Sequence, residues 1–337
     1  MVASPVTPLR PAQLGGAQAF VCDLARGLTL RGHDVTLYCA GGSDVEGVRL
    51  VTFPAPRDAA QALVMPGGTE PLAVPGVASA IAEMFRLLAG ANPDAVSQHA
   101  FDAPAFELSA DLPVLHTLHL PPLVESVVLA AKRLPAGRLA TVSRSCQAQW
   151  RAAGVEVGEV LPNGVAHIAV DAAPTRSALV AGRISPEKGI EHAIAASRAA
   201  GLPVRLAGAH YDPGYAIDLR DVEVLGFLER DELRSVMASS AVTVCAARWE
   251  EPFGMVAAEA QMAGCPVAAY RRGALPEVVE DGVSGFLARP DDVDELAAAI
   301  GRCLGLDRGL VRASARGRLS LDAALDRYEH ALSQAAC

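Results

Sequence analysis

The sequence predicts an α/β protein with two domains, each built on a parallel sheet. Strand and helix patterns alternate along both halves of the 337-residue chain, which is typical of parallel sheets covered by helices. The length allows about two domains of roughly 150 residues each. Only 4% of the residues are aromatic, whereas alanine and valine are abundant, which suits alanine-rich helices packed on valine-rich strands. We place the domains at residues 1–168 and 176–318.

In the first half, the pair Gly15–Gly16 precedes a helix predicted over Ala17–Leu30. The first strand would cover only Val2–Ser4, so we expect either a short strand or a few missing N-terminal residues. Proline, glycine and alanine dominate Pro54–Gly76, which predicts a long loop. The other elements predicted in this half are the strands Asp34–Cys39, Asp94–Gln98, Pro113–Leu118 and Leu139–Val142 and the helices Val77–Ala89 and Ser145–Ala153.

A linker predicted over Val165–Ser177 leads into the second half, where strands and helices alternate again. The predicted strands are Ala178–Ala181, Val204–Ala207, Val222–Leu225, Val242–Ala246, Pro266–Ala269 and Gly285–Leu287. The predicted helices are Ile190–Ala200, Arg230–Ser239, Gly254–Ala263, Leu275–Val279, Val293–Cys303 and Leu321–Ser333.

Composition excludes several classes of protein. The formal net charge of −9 disfavours a nucleic-acid-binding protein, which needs a basic face. The sequence contains no run of 18 apolar residues, so no transmembrane helix is predicted. The N-terminus lacks the pattern of an export signal, so we expect a cytoplasmic protein. Seven cysteines without a C-x-x-C pair suit neither a disulfide framework nor a zinc site.

Two glutamates flank a predicted helix start in the second half. Glu251 lies in the loop before the helix, and Glu259 lies about one turn inside it. The N–H groups near Met255 and Val256 would lack partners within the helix, which makes them a site for phosphate. One carboxylate on each side of that site can bind hydroxyls on both sides of a diphosphate, the layout of a nucleotide sugar. Alternatively, Glu251 caps the helix and Glu259 is solvated.

Two loops that contain glycine also precede helices. The loop Gly182–Gly189 follows a predicted strand and carries Arg183 and Lys188, two cations that could neutralise a diphosphate leaving group. Alternatively, Lys188 pairs with Glu187 in a solvated loop. The pair Gly15–Gly16 would let the backbone approach a ligand, or form only a turn. It is not the G-x-G-x-x-G fingerprint, which counts against a dinucleotide reductase.

Three histidines, His99, His116 and His119, lie near the ends of predicted strands. A zinc site would need further ligands at suitable spacing, and none is evident, so we predict no metal. Each histidine could be a hydrogen-bonded packing residue. The strand-end positions of His99 and His119 favour a role at a ligand site.

Several segments, taken in their order along the chain, resemble those of the GT-B-fold retaining glycosyltransferases of family GT4, also called glycosyl transferases group 1. GGAQAFVCDLARGLTLRGHDVTLY resembles the family's glycine loop, helix and strand, and LPNGV its segment before the linker. GRISPEKGIEHAI resembles its phosphate loop. EPFGMVAAEAQMAGCPVAA matches its E-x7-E motif, and GALPEVVEDGVSGFL the segment that follows.

The resemblance implies two Rossmann-like domains that face each other across a cleft, with the helix Leu321–Ser333 returning to the first domain. It implies that Glu251 holds the donor sugar, Glu259 the ribose, and Arg183 and Lys188 the diphosphate. His119 would lie near the reacting sugar, and His99 would match the second histidine of an H-x-H pattern whose first position is Ser97. The remaining donor-binding residues implied are Gly15, Gly16, Phe227, Leu228, Phe253, Gly254, Met255 and Val256.

The expected activity is therefore transfer of a sugar from a nucleotide diphosphate sugar to an acceptor, with retention and without a metal or other cofactor. In the family, the departing phosphate helps to deprotonate the acceptor. UDP is the first candidate for the nucleotide, and GDP and ADP are alternatives to it. UDP-N-acetylglucosamine is one candidate donor. A small soluble acceptor is expected, and the alanine- and arginine-rich composition fits members that act in bacterial natural-product biosynthesis. The alternatives are a nucleotide-sugar 2-epimerase of the same fold and a non-catalytic sugar-nucleotide-binding protein.

Overall fold

The computed structural model describes residues 1–10, 15–62, 74–168, 172–173, 175–211 and 214–336. The chain divides into an N-terminal unit, Met1–Pro11, Ala17–Pro162 and Leu321–Cys337, and a C-terminal unit, Ala12–Gly16 and Asn163–Ser320. The boundary expected at residue 168 lies a few residues beyond this division. The reason is a backbone hydrogen bond of 2.8 Å from Val165 N–H to the carbonyl of Leu319, which ties the segment after Pro162 to the C-terminal unit.

The N-terminal unit contains one parallel sheet. Its strands are β1 (Thr36–Ala40), β2 (Arg49–Phe53), β3 (Val96–Gln98), β4 (Val114–Leu118), β5 (Leu139–Thr141) and β6 (Glu159–Val160). Strand β1 pairs with β2, and β3 to β6 pair in sequence order. Val2 connects the two groups, because it forms parallel bridges to both Tyr38 and Gln98. The expected strand Val2–Ser4 is therefore a bridge of one residue.

Helices cover both faces of this sheet. They are α1 (Gly16–Leu30), α2 (Pro75–Ala91), α3 (Ala103–Glu107), α4 (Glu125–Ala131), α5 (Arg144–Ala152) and, from the end of the chain, α12 (Leu321–Ala335). Helix α12 buries Leu325 and Tyr328 against Phe20 and Leu24 of α1. A Cβ atom on Gly27 of α1 would lie 2.6 Å from Leu325, so the small residue permits this close packing.

The C-terminal unit has a six-stranded parallel sheet of order β12-β11-β10-β7-β8-β9. Its strands are β7 (Ala178–Ala181), β8 (Val204–Ala207), β9 (Val222–Gly226), β10 (Val242–Cys245), β11 (Val267–Tyr270) and β12 (Gly285–Ala288). The order reverses between β7 and β10, as in doubly wound folds. In such sheets the ligand site lies outside the carboxyl ends of the strands at this reversal.

The helices of this unit are α6 (Ile190–Ala199), α7 (Arg230–Ser239), α8 (Met255–Met262), α9 (Leu275–Val278), α10 (Val293–Cys303) and α11 (Arg308–Leu319). Most of the predicted elements are present in both units, with ends shifted by a few residues. The sequence prediction missed β2, β6, α3, α4 and α11. Residues 63–73 of the loop predicted over Pro54–Gly76 lie outside the described residues, and Ala59–Ala62 form a 3₁₀ turn. No helix within the described ranges is long and apolar enough to span a membrane.

Candidate functional site

The loops after β7 and β10 meet at the reversal point of the C-terminal sheet. Lys188 ends a 3₁₀ turn in the first loop, and Glu251 lies in the second, before α8. The Nζ atom of Lys188 is 2.7 Å from Oε2 of Glu251, and the two side chains are 22% and 14% exposed. The sequence alternative in which Lys188 pairs with Glu187 is therefore wrong. The pair lies where a doubly wound sheet binds its ligand.

Trp249 contacts both members of this pair. Its indole Nε1–H donates to Oε2 of Glu251 at 2.9 Å. Its ring lies 5.2 Å from Nζ of Lys188, at cation–π distance. Oε2 of Glu251 thus accepts from two donors, while Oε1 accepts from none of the described residues. The carboxylate is held in one orientation with one oxygen left for a ligand.

Arg183 stands at the start of the same loop, where it is paired with Glu187. Its guanidinium is 3.2 Å from Oε1 of Glu187, which also accepts from the Ser185 hydroxyl at 2.7 Å. The guanidinium also lies 5.2 Å from the ring of Tyr211. Its Nε is buried and has no hydrogen-bond partner among the residues with described positions. The loop therefore presents two oriented cations, Arg183 and Lys188.

Helix α8 begins at Met255 with an uncapped N-terminus. Gly254 precedes it in the left-handed region, with φ 95°, and no described side chain caps the helix. The alternative in which Glu251 caps α8 is therefore wrong. Phe253 and Met255 are buried, and Val256 is half-buried. Gly16 clusters with the C-terminal unit, and a Cβ atom there would lie 2.7 Å from Cγ of Met255, so a larger residue would collide at this helix start.

Glu259 lies one turn inside α8 and is paired. Its Oε1 is 3.5 Å from Nε of Arg230, and its side chain is only 10% exposed. The alternative of a solvated Glu259 is therefore wrong. Arg230 begins α7, directly after the loop that carries Phe227 and Leu228, and the Phe227 side chain is 44% exposed. The pair thus brings the predicted base-binding loop close to the predicted ribose-binding carboxylate.

The backbone of Glu251 is supported by the loop after β11. Gly273 N–H donates to Oε2 of Glu250 at 2.9 Å, and Ala274 N–H donates to the carbonyl of Glu251 at 2.8 Å. Gly273 has φ 58°, and a Cβ atom there would lie 2.3 Å from the backbone N of Glu251. Only glycine fits this position without displacing Glu251.

The N-terminal unit holds a separate group of histidines at the carboxyl ends of β3 and β4. Nδ1 of His99 is 2.9 Å from Nε2 of His119, and the Ser97 hydroxyl is 2.8 Å from Nε2 of His99. Phe20 and Tyr328 pack against the two rings, with centroids 6.3 and 6.1 Å away. His99 and His119 therefore form one buried, hydrogen-bonded group with Ser97.

His116 is not part of this group, contrary to its predicted place near a strand end. It lies inside β4, stacks on Phe106 at 4.7 Å, and forms a 2.9 Å hydrogen bond with the Ser109 hydroxyl. Burial lowers the pKa of His116 to about 3 and that of His119 to about 4. Burial, followed by the neighbouring His119, lowers the pKa of His99 well below its usual value. All three imidazoles are therefore neutral near pH 7.

We expect the N-terminal unit to lose stability as the pH falls from about 7 to about 5. Each of the three histidines takes up a proton in the unfolded chain below its ordinary pKa, but not in the folded unit. Each therefore removes up to about 1.4 kcal/mol of unfolding free energy per pH unit in this range. Burial also lowers the pKa of the Met1 amine to about 5, which adds to the loss, and raises the pKa of Asp102 to about 6, which opposes it.

The two tryptophans allow this measurement, because Trp150 lies in the N-terminal unit and Trp249 in the C-terminal unit. In a Trp249→Phe variant, fluorescence during denaturant unfolding reports on the N-terminal unit alone. Adding Asp102→Asn removes the opposing group, so the acid loss should become steeper. Equal unfolding free energies at both pH values would show that the histidines are not held neutral by the fold.

Sequence reasoning identified the charged residues of the site but not the residues that hold them. Trp249, Arg230 and Gly273 were missed. Among the charged residues that sequence reasoning identified, Lys188 is one of only two lysines among 29 basic residues, the other being Lys132. Within the described part of the chain, no group of three or more His, Cys, Asp or Glu side chains is placed to hold a metal ion.

Two family models match the chain. The model of glycosyl transferases group 1 matches residues 172–318, and that of glycosyltransferase family 4 matches residues 14–167. Together they cover about nine-tenths of the sequence and include Glu251, Glu259, Arg183, Lys188 and the three histidines.

Curated relatives and solved structures agree with this match. The MMP alpha-(1->4)-mannosyltransferase of Mycolicibacterium hassiacum is 45% identical over 92 residues, which is 27% of this chain and 22% of that protein. The chain thus matches only about a fifth of that relative's length. The Anabaena protein HepE, solved in complex with UDP-glucose, aligns with a TM-score of 0.75 and 20% identity over 99% of both chains. AviGT4, a glycosyltransferase involved in avilamycin A biosynthesis, aligns with a TM-score of 0.72 and 23% identity over 99% of this chain and 97% of that one.

Proposed function

The chain belongs to the GT4-type glycosyltransferases of GT-B fold, and from this premise we propose that it transfers a sugar from a UDP-sugar to a small acceptor with retention. The observation that carries the proposal is the Lys188–Glu251 pair. It lies at the reversal point of the C-terminal sheet and beside the uncapped start of α8. A cation, a carboxylate and free N–H groups in one place suit a phosphate next to a polyhydroxylated group.

The proposed chemistry follows from charge. The leaving diphosphate gains negative charge as the glycosidic bond breaks. Arg183, Lys188 and the N–H groups of Met255 and Val256 stabilise it, because fixed positive groups need little reorganisation. These groups stabilise the negative charge that a metal ion stabilises in other enzymes, so we propose transfer without a metal or other cofactor. The departing phosphate accepts the proton of the acceptor hydroxyl, so the proposal assigns no protein side chain as the base.

The carboxylates and the backbone loops would bind the rest of the donor. Glu251 accepts from sugar hydroxyls through Oε1, while Lys188 and Trp249 fix Oε2. Glu259 accepts from the ribose hydroxyls. The backbone at Phe227 and Leu228 binds the base, and Gly15 and Gly16 allow close approach of the chain to the diphosphate. As the family resemblance implies, His119 would contact the reacting sugar and His99 the acceptor.

Two solved structures bear on the proposed donor and acceptor. HepE was solved with UDP-glucose, which favours UDP among the nucleotides. UDP-N-acetylglucosamine is one candidate donor. AviGT4 is involved in avilamycin A biosynthesis, which agrees with the proposal of a small soluble acceptor in natural-product biosynthesis.

Calorimetric titration with UDP, GDP and ADP, each with and without magnesium, tests the proposal. We expect UDP to bind without magnesium. Glu259→Gln should bind UDP about 10-fold or more weakly, since it replaces a charged acceptor of hydrogen bonds by a neutral amide. The control is Asp294→Asn, an exposed carboxylate in the first turn of α10, which should bind as the wild type does. Absence of binding by all three nucleotides would contradict the assignment of the nucleotide site.

A transfer assay then separates the proposal from its alternatives. With radiolabelled UDP-sugar, a transferase puts label on an added acceptor. A 2-epimerase releases UDP without labelling any acceptor, and a binding protein leaves the donor intact. Either of these last two results would overturn the proposed transfer while leaving the nucleotide site in place.

A further inference from the structure

The hydrogen-bonded chain Ser97–His99–His119 has only two self-consistent proton arrangements. The single hydrogen bond between the rings places one proton between Nδ1 of His99 and Nε2 of His119. Each imidazole is neutral and carries one proton, so the position of this proton fixes every other proton in the chain. In the first arrangement both rings carry hydrogen on Nδ1. In the second, both carry it on Nε2.

The two arrangements differ in how many buried groups they leave without a partner. In the first, the Ser97 hydroxyl donates to His99, His99 donates to His119, and only the Nδ1–H of His119 lacks an acceptor. In the second, His119 Nε2–H donates to His99 and His99 Nε2–H donates to Ser97. The Ser97 hydroxyl hydrogen then has no acceptor among the described residues, and Nδ1 of His119 has no donor. Each arrangement leaves one buried donor unpaired, and the second also leaves a buried acceptor unpaired, so the first arrangement is favoured.

We propose that Ser97 is a positioning residue, whose hydroxyl fixes His119 as the tautomer that carries its proton on Nδ1. Ser97 is buried, and its hydroxyl has no other partner in the described part of the chain. Nδ1 of His119 is also buried and without a partner there. The Nδ1–H group therefore recognises a lone pair on a ligand oxygen, that of a hydroxyl or a phosphate. On the proposed function, His119 donates a hydrogen bond to the bound substrate and does not remove the acceptor proton.

The tautomers can be measured directly without substrate. Two-bond ¹H–¹⁵N correlation spectra at about pH 7 distinguish an imidazole protonated on Nδ1 from one protonated on Nε2. The variants His99→Gln and His119→Gln assign the two rings. We expect both rings of the wild type to carry hydrogen on Nδ1. Hydrogen on Nε2 in both rings would overturn the proposal.

Ser97→Ala tests the role of the hydroxyl. Without it, each arrangement leaves one N–H and one bare nitrogen unpaired, so the two become nearly equal in energy. The Nδ1–H population should fall about twofold. Ser97→Thr keeps the hydroxyl and should keep the wild-type spectrum. An unchanged tautomer in Ser97→Ala would refute the positioning role. If a variant does not fold, the wild-type spectrum still tests whether both rings carry hydrogen on Nδ1.

Kinetics give a second readout, which rests on the proposed function. In Ser97→Ala, KM for the donor should rise by the factor by which the Nδ1–H population falls, while kcat stays close to that of the wild type, because bound substrate selects the Nδ1–H tautomer. A loss of kcat with wild-type tautomers would indicate a packing effect and contradict the proposal. If the wild type transfers no sugar, the proposed function fails, but the spectra still decide the tautomer.

Discussion

Lys188→Ala is expected to lower kcat for sugar transfer by about 10²–10³, the usual effect of removing one group that stabilises developing charge. Lys188 is 22% exposed and its ammonium is held by Glu251 and the ring of Trp249, so the charge is already oriented before a donor binds. A preoriented, partly desolvated cation stabilises a leaving diphosphate more than a mobile surface cation does. Steady-state kinetics with a UDP-sugar would measure the loss.

The chain supplies its own control for this substitution. Lys132, the other lysine, is exposed and belongs to the N-terminal unit, so Lys132→Ala should transfer sugar at the wild-type rate. Lys188→Arg keeps the charge but replaces a compact ammonium by a planar fork, and we expect an intermediate rate. Equal rates for Lys188→Ala and Lys132→Ala would remove Lys188 from the proposed mechanism.

Because Lys188 and Glu251 contact each other, their substitutions should not be additive. Glu251→Ala alone should also lower kcat about 10²-fold or more, since it removes both the predicted sugar contact and the partner of Lys188. In the double variant, the second substitution should add less than it costs alone. Full additivity would mean that the 2.7 Å pair does not act as a unit during transfer.

Amine modification offers a test that needs no acceptor. A protein with two lysines gives a simple pattern of modified peptides when it is treated with an acylating reagent. Bound UDP should protect Lys188 and leave Lys132 unchanged. Equal modification of Lys188 with and without UDP, at a UDP concentration that saturates calorimetric binding, would contradict a contact between Lys188 and the diphosphate.

The sequence predicted the α/β class and the position of the charged residues because both depend on local patterns. Strand ends followed by glycine loops place Arg183, Lys188 and Glu251 at one edge of a parallel sheet, whatever the details of packing. The choice of partners was not local. Glu187 pairs with Arg183, four positions earlier, rather than with the adjacent Lys188, and Lys188 pairs with Glu251 from another loop.

Other parts of the fold were missed for physical reasons that individual residues make clear. Strand β4 is buried at all five positions, because helices cover both faces, so its sequence has no alternation that would mark His116 as a core residue. Helix α11 was detectable, since Val311, Ala315 and Leu319 recur at helical spacing and are buried. Its glycines and arginines obscured that pattern. The role of Ser97 depends on a ring that only the folded sheet places beside it.

Gly273→Ala is expected to disable the site without a change to any charged residue. The backbone at this position has φ 58°, so alanine costs about 1–2 kcal/mol in a left-handed conformation. The new methyl group would also lie 2.3 Å from N and 2.5 Å from O of Glu251, closer than real Cβ contacts. Either Gly273 or the Glu251 backbone must move. A displacement of about 1 Å at a reacting centre lowers the rate about 10²-fold.

Gly282→Ala is the matched control for Gly273→Ala. Gly282 also has positive φ, 84°, but a Cβ atom there would meet nothing within 4 Å. Its substitution carries the conformational cost without the collision. Gly282→Ala should therefore lose about 1–2 kcal/mol of unfolding free energy and keep wild-type kcat. Gly273→Ala should lose more stability, by roughly 1–3 kcal/mol, together with transfer activity.

A milder substitution separates displacement of Glu251 from general damage to the unit. Glu250→Gln weakens the hydrogen bond that Gly273 N–H donates to Glu250, without adding a methyl group. It should lower kcat less than Gly273→Ala does and leave the unfolding free energy nearly unchanged. Near-wild-type kcat in a folded Gly273→Ala protein would show that the position of Glu251 tolerates this shift. The carboxylate would then bind the sugar only loosely, and the Lys188 ammonium would account for most of the catalytic effect of the pair.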